Sequence, residues 1–289
     1  LEKNIADTIG CEYELIVIDN SQNRYNIFTA YNEGIRLSNG DILCFMHEDI
    51  LYHTYDWGKV VKFHFENKSL GMLGVLGTHY MPACPAGWWS TQCQAGRIIQ
   101  GKCNAQGYYT DEIVYNEYDK LKKDKLLSEV AVVDGLWFCI KKSLFDCFKF
   151  DENTYNGFHC YDIDMSMQIQ TQNYVVAVCY DINIEHASLG SFNKSWVVSL
   201  NIWYKKWKNK LPCEIGGDYK LEENRKQEIL ARNCKYFCQY SRANAKYILA
   251  LEYYFKSIIY YPYKFARRKE YIADYLFPRV YSIIKSKIR

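Results

Sequence analysis

Two rhythms of apolar residues run along this chain, short unbroken runs and stripes near the 3.6-residue helical period, and they divide it into strands and helices. Residues 14–19 (ELIVID) form an apolar run ending in Asp-Asn-Ser, the pattern of a buried parallel strand that leaves a sheet into a loop. A helix follows over 26–38, with Ile27, Ala30, Tyr31, Gly34 and Ile35 near one face and Asn39-Gly40 as its stop. A second strand, 41–46 (DILCFM), runs out into His47-Glu48-Asp49; a helix over 56–67 and a third strand over 72–77 (MLGVLG) come next. Periodicity lapses over 78–118, a stretch rich in Gly, Trp and Tyr that reads as a long functional loop. Regularity returns at 128–142, where SEVAVVDG and LWFCIKK read as strands flanking Asp134-Gly135. It continues in a helix over 159–171 and a strand over 174–180. Trp196, Leu200, Trp203 and Trp207 then mark a helical stripe that Leu211-Pro212 ends, and Gly216-Gly217 marks a domain boundary. Beyond it Tyr247, Leu251, Tyr254 and Ile258 repeat the stripe on a long helix. This alternation predicts an α/β sheet flanked by helices over 1–215 and a helical appendage over 216–289. In such sheets ligands bind beyond the carboxyl ends of the strands, where Asp19 and Asp49 fall.

Composition narrows the classes. Of 289 residues, 49% are hydrophobic and 24% charged, which excludes a disordered chain. No stretch approaches the roughly 20 uncharged apolar residues of a spanning helix. The net charge of +3 gives no basis for a nucleic-acid partner. It hides an asymmetry: residues 219–289 hold 16 Lys/Arg against 6 Asp/Glu, so a basic, Tyr-rich tail follows an acidic body. The 12 cysteines include no C-x-x-C pair, and Cys44, Cys139 and Cys179 lie in apolar runs. Free thiols in a reduced, cytosolic compartment are therefore expected. The chain opens on Leu1 with no signal-like segment, and a trimmed start is expected.

Several residues have the right chemistry for a site, each with a plainer alternative. His47 and Asp49, two apart on an extended segment, point to the same side and suit Mn²⁺ or a similar ion; equally, Asp49 caps the next element. Asp19 either accepts hydrogen bonds from a nucleoside or belongs to a turn with Asn20. In FDENTYNGFHCYDID, Asp162 and Asp164 sit about 200° apart on a helix, so one of them at most faces a reacting hydroxyl as base, unless the helix starts between them. His186 and His159 are each either structural or site residues. Trp88-Trp89 either stack on a sugar ring or anchor a loop.

Taken in order, VIDNS (17–21), AYNEGIRLSNGDILCFMHEDI (30–50), VDGLWFCIKK (133–142), FDENTYNGFHCYDIDMSMQ (150–168) and EHASLGSFNKSW (185–196) resemble family 2 glycosyltransferases over roughly 14–212. The likeness is to a bacterial branch with H-x-D in place of D-x-D. The resemblance implies a GT-A fold, a Rossmann-like, mixed but mostly parallel sheet, whose first strand is expected upstream of residue 14. It implies a nucleotide-diphosphate-sugar donor, a glycan or glycolipid acceptor and Mn²⁺ or Mg²⁺. By position, Asp19 and Asn20 would hold the nucleoside, and Asp134-Gly135 would line the donor sugar. His47, Asp49 and His186 would hold the metal, and Asp162 would be the catalytic base. Trp88, Trp89 and His159, on the residue readings above rather than by position in the family, are the candidate substrate contacts. The implied activity is inverting hexosyl transfer in bacterial surface glycan synthesis. The expected place is the cytoplasm, with residues 219–289 as a peripheral contact to the inner membrane face. Two alternatives stand beside it: a nucleotidyltransferase, and a non-catalytic binding or scaffold protein of the same fold.

Overall fold

The computed structural model describes residues 1–104, 107–115, 126–188, 190, 192–216 and 220–260. They belong to two units, Leu1–Lys220 and Leu221–Arg289. In chain order the first unit contains α1 (Glu2–Thr8), α2 (Ile27–Leu37), β1 (Ile42–Met46), β2 (Ile50–Tyr52), α3 (Trp57–His64), β3 (Leu70–Gly74), β4 (Leu76–Thr78) and β5 (Tyr80–Met81). It continues through β6 (Gln94–Asn104), β7 (Gly107–Tyr115), β8 (Leu127–Glu129), β9 (Val132–Val133), β10 (Trp137–Lys141), α4 (Tyr161–Thr171), β11 (Val175–Cys179), β12 (Ile184–His186), α5 (Lys194–Trp207) and β13 (Cys213–Glu214). The second unit holds α6 (Glu223–Ala243) and α7 (Tyr247–Tyr260).

The fold is mixed α/β with a helical C-terminal region. One sheet has the order β1-β10-β3-β11-β8, in which β1, β3 and β11 run one way and β10 and β8 the other. A second sheet has the order β2-β12-β6-β4-β9, with β7 paired to β6. Among the described ladders only β3–β11 and β6–β12 are parallel, so the expected mostly parallel sheet is corrected to a mainly antiparallel one. Antiparallel β10 wedges between β1 and β3, and the hairpin of β6 and β7 adds further antiparallel pairs.

Residues 14–19 form no ladder, contrary to the strand expected there. Glu14 instead accepts the backbone N–H groups of Asn39 and Gly40 at the turn into β1. Val17 is 70% exposed and Leu15 is exposed beside it. An apolar run measures hydrophobicity alone; a strand also needs a neighbour to exchange backbone hydrogen bonds.

The second correction concerns 78–118. Its described part holds a single 3₁₀ turn, Trp88–Ser90, and the long antiparallel pair β6–β7, in register from Gly96 opposite Tyr115 to Asn104 opposite Gly107. Strand β7 is exposed on nearly every residue, so neither face imposes the alternation by which a strand is recognised. Residues 116–118 lie outside the described residues.

The core of the first unit gathers Leu70, Leu73, Trp137, Cys139, Ala177 and Ile184 between the strands and the helices. Helix α2 starts on a capping box in which Asn26 and Thr29 satisfy each other's backbone N–H groups. Its Tyr31 packs against Phe45 at 4.9 Å, Phe150 at 5.1 Å and Tyr161 at 5.5 Å between ring centres. In α5, Leu200, Trp203 and Trp207 are buried as the stripe predicts, whereas Trp196 stays partly exposed.

In the second unit α7 buries Ala250, Tyr253 and Ser257, with Tyr253 against Phe237 of α6 at 4.8 Å. Of the expected stripe, Tyr247 and Leu251 are exposed and Tyr254 and Ile258 partly buried; Ile248, Phe255 and Ile259 are exposed as well. Gly217 of the expected boundary and residues 261–289 of the basic tail lie outside the described residues. Among the described residues no helix is long and apolar enough to cross a membrane.

Candidate active site

Topology brings the first cluster together. His47 follows the last residue of β1, and its N–H donates to the Leu136 carbonyl just ahead of β10 at 2.9 Å. Three residues on, β2 pairs antiparallel with β12, placing His186 opposite Ile50, while the Ala187 N–H donates to the Asp49 carbonyl at 3.0 Å. Asp49 therefore lies between two imidazoles: its Oδ1 is 3.9 Å from His47 Nδ1 and 3.5 Å from His186 Nε2. The three donor atoms lie within 4.8 Å of one another. Burial pushes the Asp49 carboxyl up, but the Ser188 side chain and the two imidazoles outweigh it and hold the group below the ordinary carboxylate range. Burial, against the pull of Asp134, holds His47 below the usual imidazole value and so keeps the ring neutral.

The tautomer of His47 follows from its partner. Tyr161 Oη donates to the Gly135 carbonyl at 3.1 Å, and its oxygen is 2.8 Å from His47 Nε2. A carbonyl only accepts, so the single phenolic proton goes to Gly135 and His47 Nε2–H donates to Tyr161. Nδ1 is left as a lone pair facing Asp49. His186 Nε2 is buried with no hydrogen-bond partner. An orphaned buried nitrogen is costly unless something fills its place. Two imidazole nitrogens and one carboxylate oxygen, with a hydroxyl holding one ring from behind, fit a divalent ion of the Mn²⁺ or Mg²⁺ type. A second His/Cys/Asp set, His64, Cys179 and Asp181, already joins imidazole to carboxylate at 2.9 Å.

The second cluster is carried by the start of α4. Cys160 takes a left-handed conformation (φ 70°), so the helix begins abruptly at Tyr161 and puts Tyr161 and Asp162 in its first turn. One turn on, Ser166 Oγ accepts the Val133 N–H at 3.2 Å and docks α4 beside Asp134. The Asp162 carboxylate also takes a backbone hydrogen bond from Gly135. Burial, reinforced by Asp134, pushes its pKa up to about 7. Asp134 is held by protein donors on both oxygens, the Leu136 N–H on Oδ1 at 2.9 Å and the Trp88 indole N–H on Oδ2. Gly135 has no room for a side chain, since a Cβ there would lie 2.3 Å from Tyr161 Oη.

Asp164, two residues along, has a different task. It is 1% exposed and receives Tyr155 Oη at 2.9 Å, Trp207 Nε1 at 2.7 Å, Gln168 Nε2 at 2.9 Å and Lys206 Nζ at 2.9 Å. It is a structural tie between α4 and α5.

The remaining sequence-predicted residues fall around these clusters. Trp89 packs on Phe192 (4.9 Å between ring centres) and Phe192 on Trp196 (5.1 Å). His159 is hydrogen-bonded to Asn193, whose Oδ1 caps α5 by accepting the Trp196 N–H at 3.1 Å. Asp19 is exposed and accepts the Ser21 N–H at 2.9 Å; Asn20 is spent on both backbone groups of Tyr25. Neither makes a hydrogen bond or ion pair to His47, Asp49 or His186.

Two supporting residues escaped the sequence reading. Tyr161 aims His47. Gln100 of β6 donates through Nε2 to the carbonyls of His186 (3.1 Å) and Ser188 (2.9 Å), bracing the segment that carries His186. No local pattern marks either residue, because both act across folded distances.

Residues 2–211 match the glycosyltransferase-like family, and the chain belongs to that family. Among solved structures it is similar to GalNAc-T7, crystallised with UDP, GalNAc and Mn²⁺, at 13% identity over 78% of this chain and 44% of that one, with a TM-score of 0.42. It is also similar to A197 from STIV, at 14% identity over 63% of this chain and 78% of that one, with a TM-score of 0.31. The chain spans less than half of the GalNAc-T7 chain. No curated protein sequence matches it.

Proposed function

We propose that this chain transfers a sugar, with inversion, from a nucleotide-diphosphate sugar to an acceptor hydroxyl, using a divalent cation held by His47, Asp49 and His186. One observation supports the reading above all: Tyr161 hydrogen-bonds His47 and immediately precedes Asp162, so the cation set and a carboxylate titrating near neutrality are two links apart. Asp162 is the base. It takes the acceptor proton as the acceptor oxygen bonds to the anomeric carbon and the bond from that carbon to the diphosphate breaks. A bound cation supplies charge neutralisation for the departing diphosphate. Asp134, with both oxygens engaged, raises Asp162 by repulsion and is not itself a nucleophile, which favours single displacement over a covalent intermediate. We assign the nucleoside to Asp19, presented by the turn that Asn20 shapes, and the donor sugar to the Asp134-Gly135 loop beside Trp88.

The test is release of nucleoside diphosphate from UDP- and GDP-sugars with and without Mn²⁺. Metal-dependent release that vanishes in Asp49→Ala and Asp162→Asn is expected. A donor at about 100 times its dissociation constant should add about 2.7 kcal/mol to stability, seen as a melting shift only with metal. No release and no shift across the panel would refute the reading.

We further assign a peripheral contact with an anionic bilayer to the second unit. Its α7 exposes Ile248, Leu251, Phe255 and Ile259 in a region with a large basic excess, a pairing suited to the interface. Flotation with phosphatidylserine vesicles should require residues 221–289; flotation that persists without them would count against it.

A further inference from the structure

Away from the first cluster, the described residues hold one other group of side chains able to converge on a cation. His64 closes α3, Cys179 closes β11, and Asp181 lies in the turn that leads from β11 to β12. The three donor atoms lie within 4.8 Å of one another. They are covered as a chance surface cluster would not be: the His64 side chain is 2% exposed, Cys179 is buried, and Asp181 alone reaches solvent, at 22%. The turn is braced on both sides of the carboxylate. Tyr180 N–H donates to the Leu126 carbonyl at 3.0 Å, and Asn183 N–H donates to Thr54 Oγ1 at 2.8 Å.

A buried ion pair accounts for only part of this arrangement. It would need one carboxylate oxygen opposite one imidazole nitrogen, with Cys179 as apolar filling. Instead both Asp181 oxygens face His64 Nε2, at 2.9 and 3.0 Å, and the Cys179 thiol is hydrogen-bonded to the same carboxylate. The sulfur also lies before the backbone N–H of Ile182. An amide N–H aimed at sulfur favours the thiolate, which is the form that binds metal. A proton on nitrogen and a proton on sulfur thus both end on one carboxylate, and a cation held by all three groups would replace both.

The donor set selects the ion. One sulfur, one imidazole nitrogen and a carboxylate suit Zn²⁺, which is borderline soft, and not the harder Mn²⁺ or Mg²⁺. Zinc bonds of about 2.0–2.3 Å put neighbouring ligand atoms about 3.3–3.8 Å apart, so the imidazole–carboxylate contact has to open by less than about 1 Å.

We infer that His64, Cys179 and Asp181 form a second cation site, which takes Zn²⁺ and ties the end of α3 to the end of β11. On binding, the thiol proton leaves to solvent and the Nε2 proton of His64 is relocated to Nδ1, so that sulfur, nitrogen and carboxylate oxygen bond to the ion. The site does not depend on the sugar-transfer reading. It bears on it in one respect, since the turn that carries Asp181 runs directly into β12, the strand that ends on His186.

The experiment uses the full chain carrying Asp49→Ala, which disables the first set, with Co²⁺ as an optical stand-in for Zn²⁺. One equivalent of Co²⁺ should bind with a thiolate-to-metal charge-transfer band in the near ultraviolet, and Zn²⁺ should displace it. Cys179→Ser and Asp181→Asn, added in turn, keep the size of the side chains. Each should weaken Co²⁺ binding at least about 10- to 100-fold, the cost of losing even an outer partner of a metal ligand, and Cys179→Ser should abolish the band. Thermal melts report folding of each variant. X-ray absorption of the zinc-loaded protein gives a readout that needs neither of these two variants: one sulfur at about 2.3 Å beside nitrogen and oxygen at about 2.0 Å. A zinc shell without sulfur or with more than one, a band that survives Cys179→Ser, or an unchanged Co²⁺ affinity in folded Asp181→Asn would each overturn the site and leave a plain ion pair.

Discussion

Asp162→Asn tests the central carboxylate through folding as well as through turnover. Burial and the neighbouring Asp134 raise this group from 3.8 to about 7. Between those values the folded protein keeps a proton that the unfolded chain has released, so stability falls as pH rises across that interval. Three units at about 1.36 kcal/mol each give an upper limit of about 4 kcal/mol of destabilisation, fully expressed above pH ~7 and absent below ~3.8. Asparagine carries no charge, and its carbonyl can still accept the Gly135 N–H. The variant should therefore melt higher than the wild type at pH 8, by up to about 8–16 °C at roughly 2–4 °C per kcal/mol for a domain of this size, and the two should converge near pH 4. Melts in chelator across this range measure it. Turnover should be lost in the variant, and in the wild type it should rise as pH passes about 7. A melting difference that does not change with pH, or an asparagine variant less stable at pH 8, would refute the assignment of a half-buried, proton-retaining carboxyl.

Three further outcomes follow from the geometry. Tyr161→Phe removes the hydroxyl behind His47 and should weaken Mn²⁺ binding about 10- to 100-fold by calorimetry, the usual cost of losing an outer hydrogen bond to a ligand. Gln100→Ala frees the carbonyls of His186 and Ser188; a fall of similar sense in Mn²⁺ affinity, with little change in melting temperature, is expected, and an unchanged affinity would show that β6 does not brace the site. Asp164→Ala leaves three neutral donors without their acceptor and Lys206 with Asp151 alone, and should cost about 3 kcal/mol or more in denaturant melts, at about 1–3 kcal/mol per orphaned donor.

Much of the fold was legible because burial imposes periodicity. The strand at 42–46 and the helices at 27–37, 57–64 and 161–171 each bury a face or a run, and each lies where its pattern predicts. The exceptions share one cause. Residues 14–19 are apolar without a ladder, β7 is paired without being buried, and α7 buries Ala250, Tyr253 and Ser257 while leaving larger apolar residues exposed; in each, hydrophobicity and burial or pairing part company. The site divides similarly. His47, Asp49 and His186 stand at strand ends, a position the sequence pattern reveals, and the structure brings their donor atoms together. Asp162 and Asp164 were separable only once Cys160 placed the helix start. Tyr161 and Gln100 owe their roles to partners 26 to 114 residues away, a distance no local window spans.

Gly135 carries a consequence for how this protein can change. Its N–H is spent on Asp162, its carbonyl on Tyr161, and its α-carbon lies under the phenol with no space for a methyl group. An alanine there would displace the ring that aims His47 and, in the same movement, loosen the loop that sets the proton affinity of Asp162. On the proposed reading, cation grip and base strength therefore depend together on this one position, and a change that retunes either end of the site alone has to come from elsewhere.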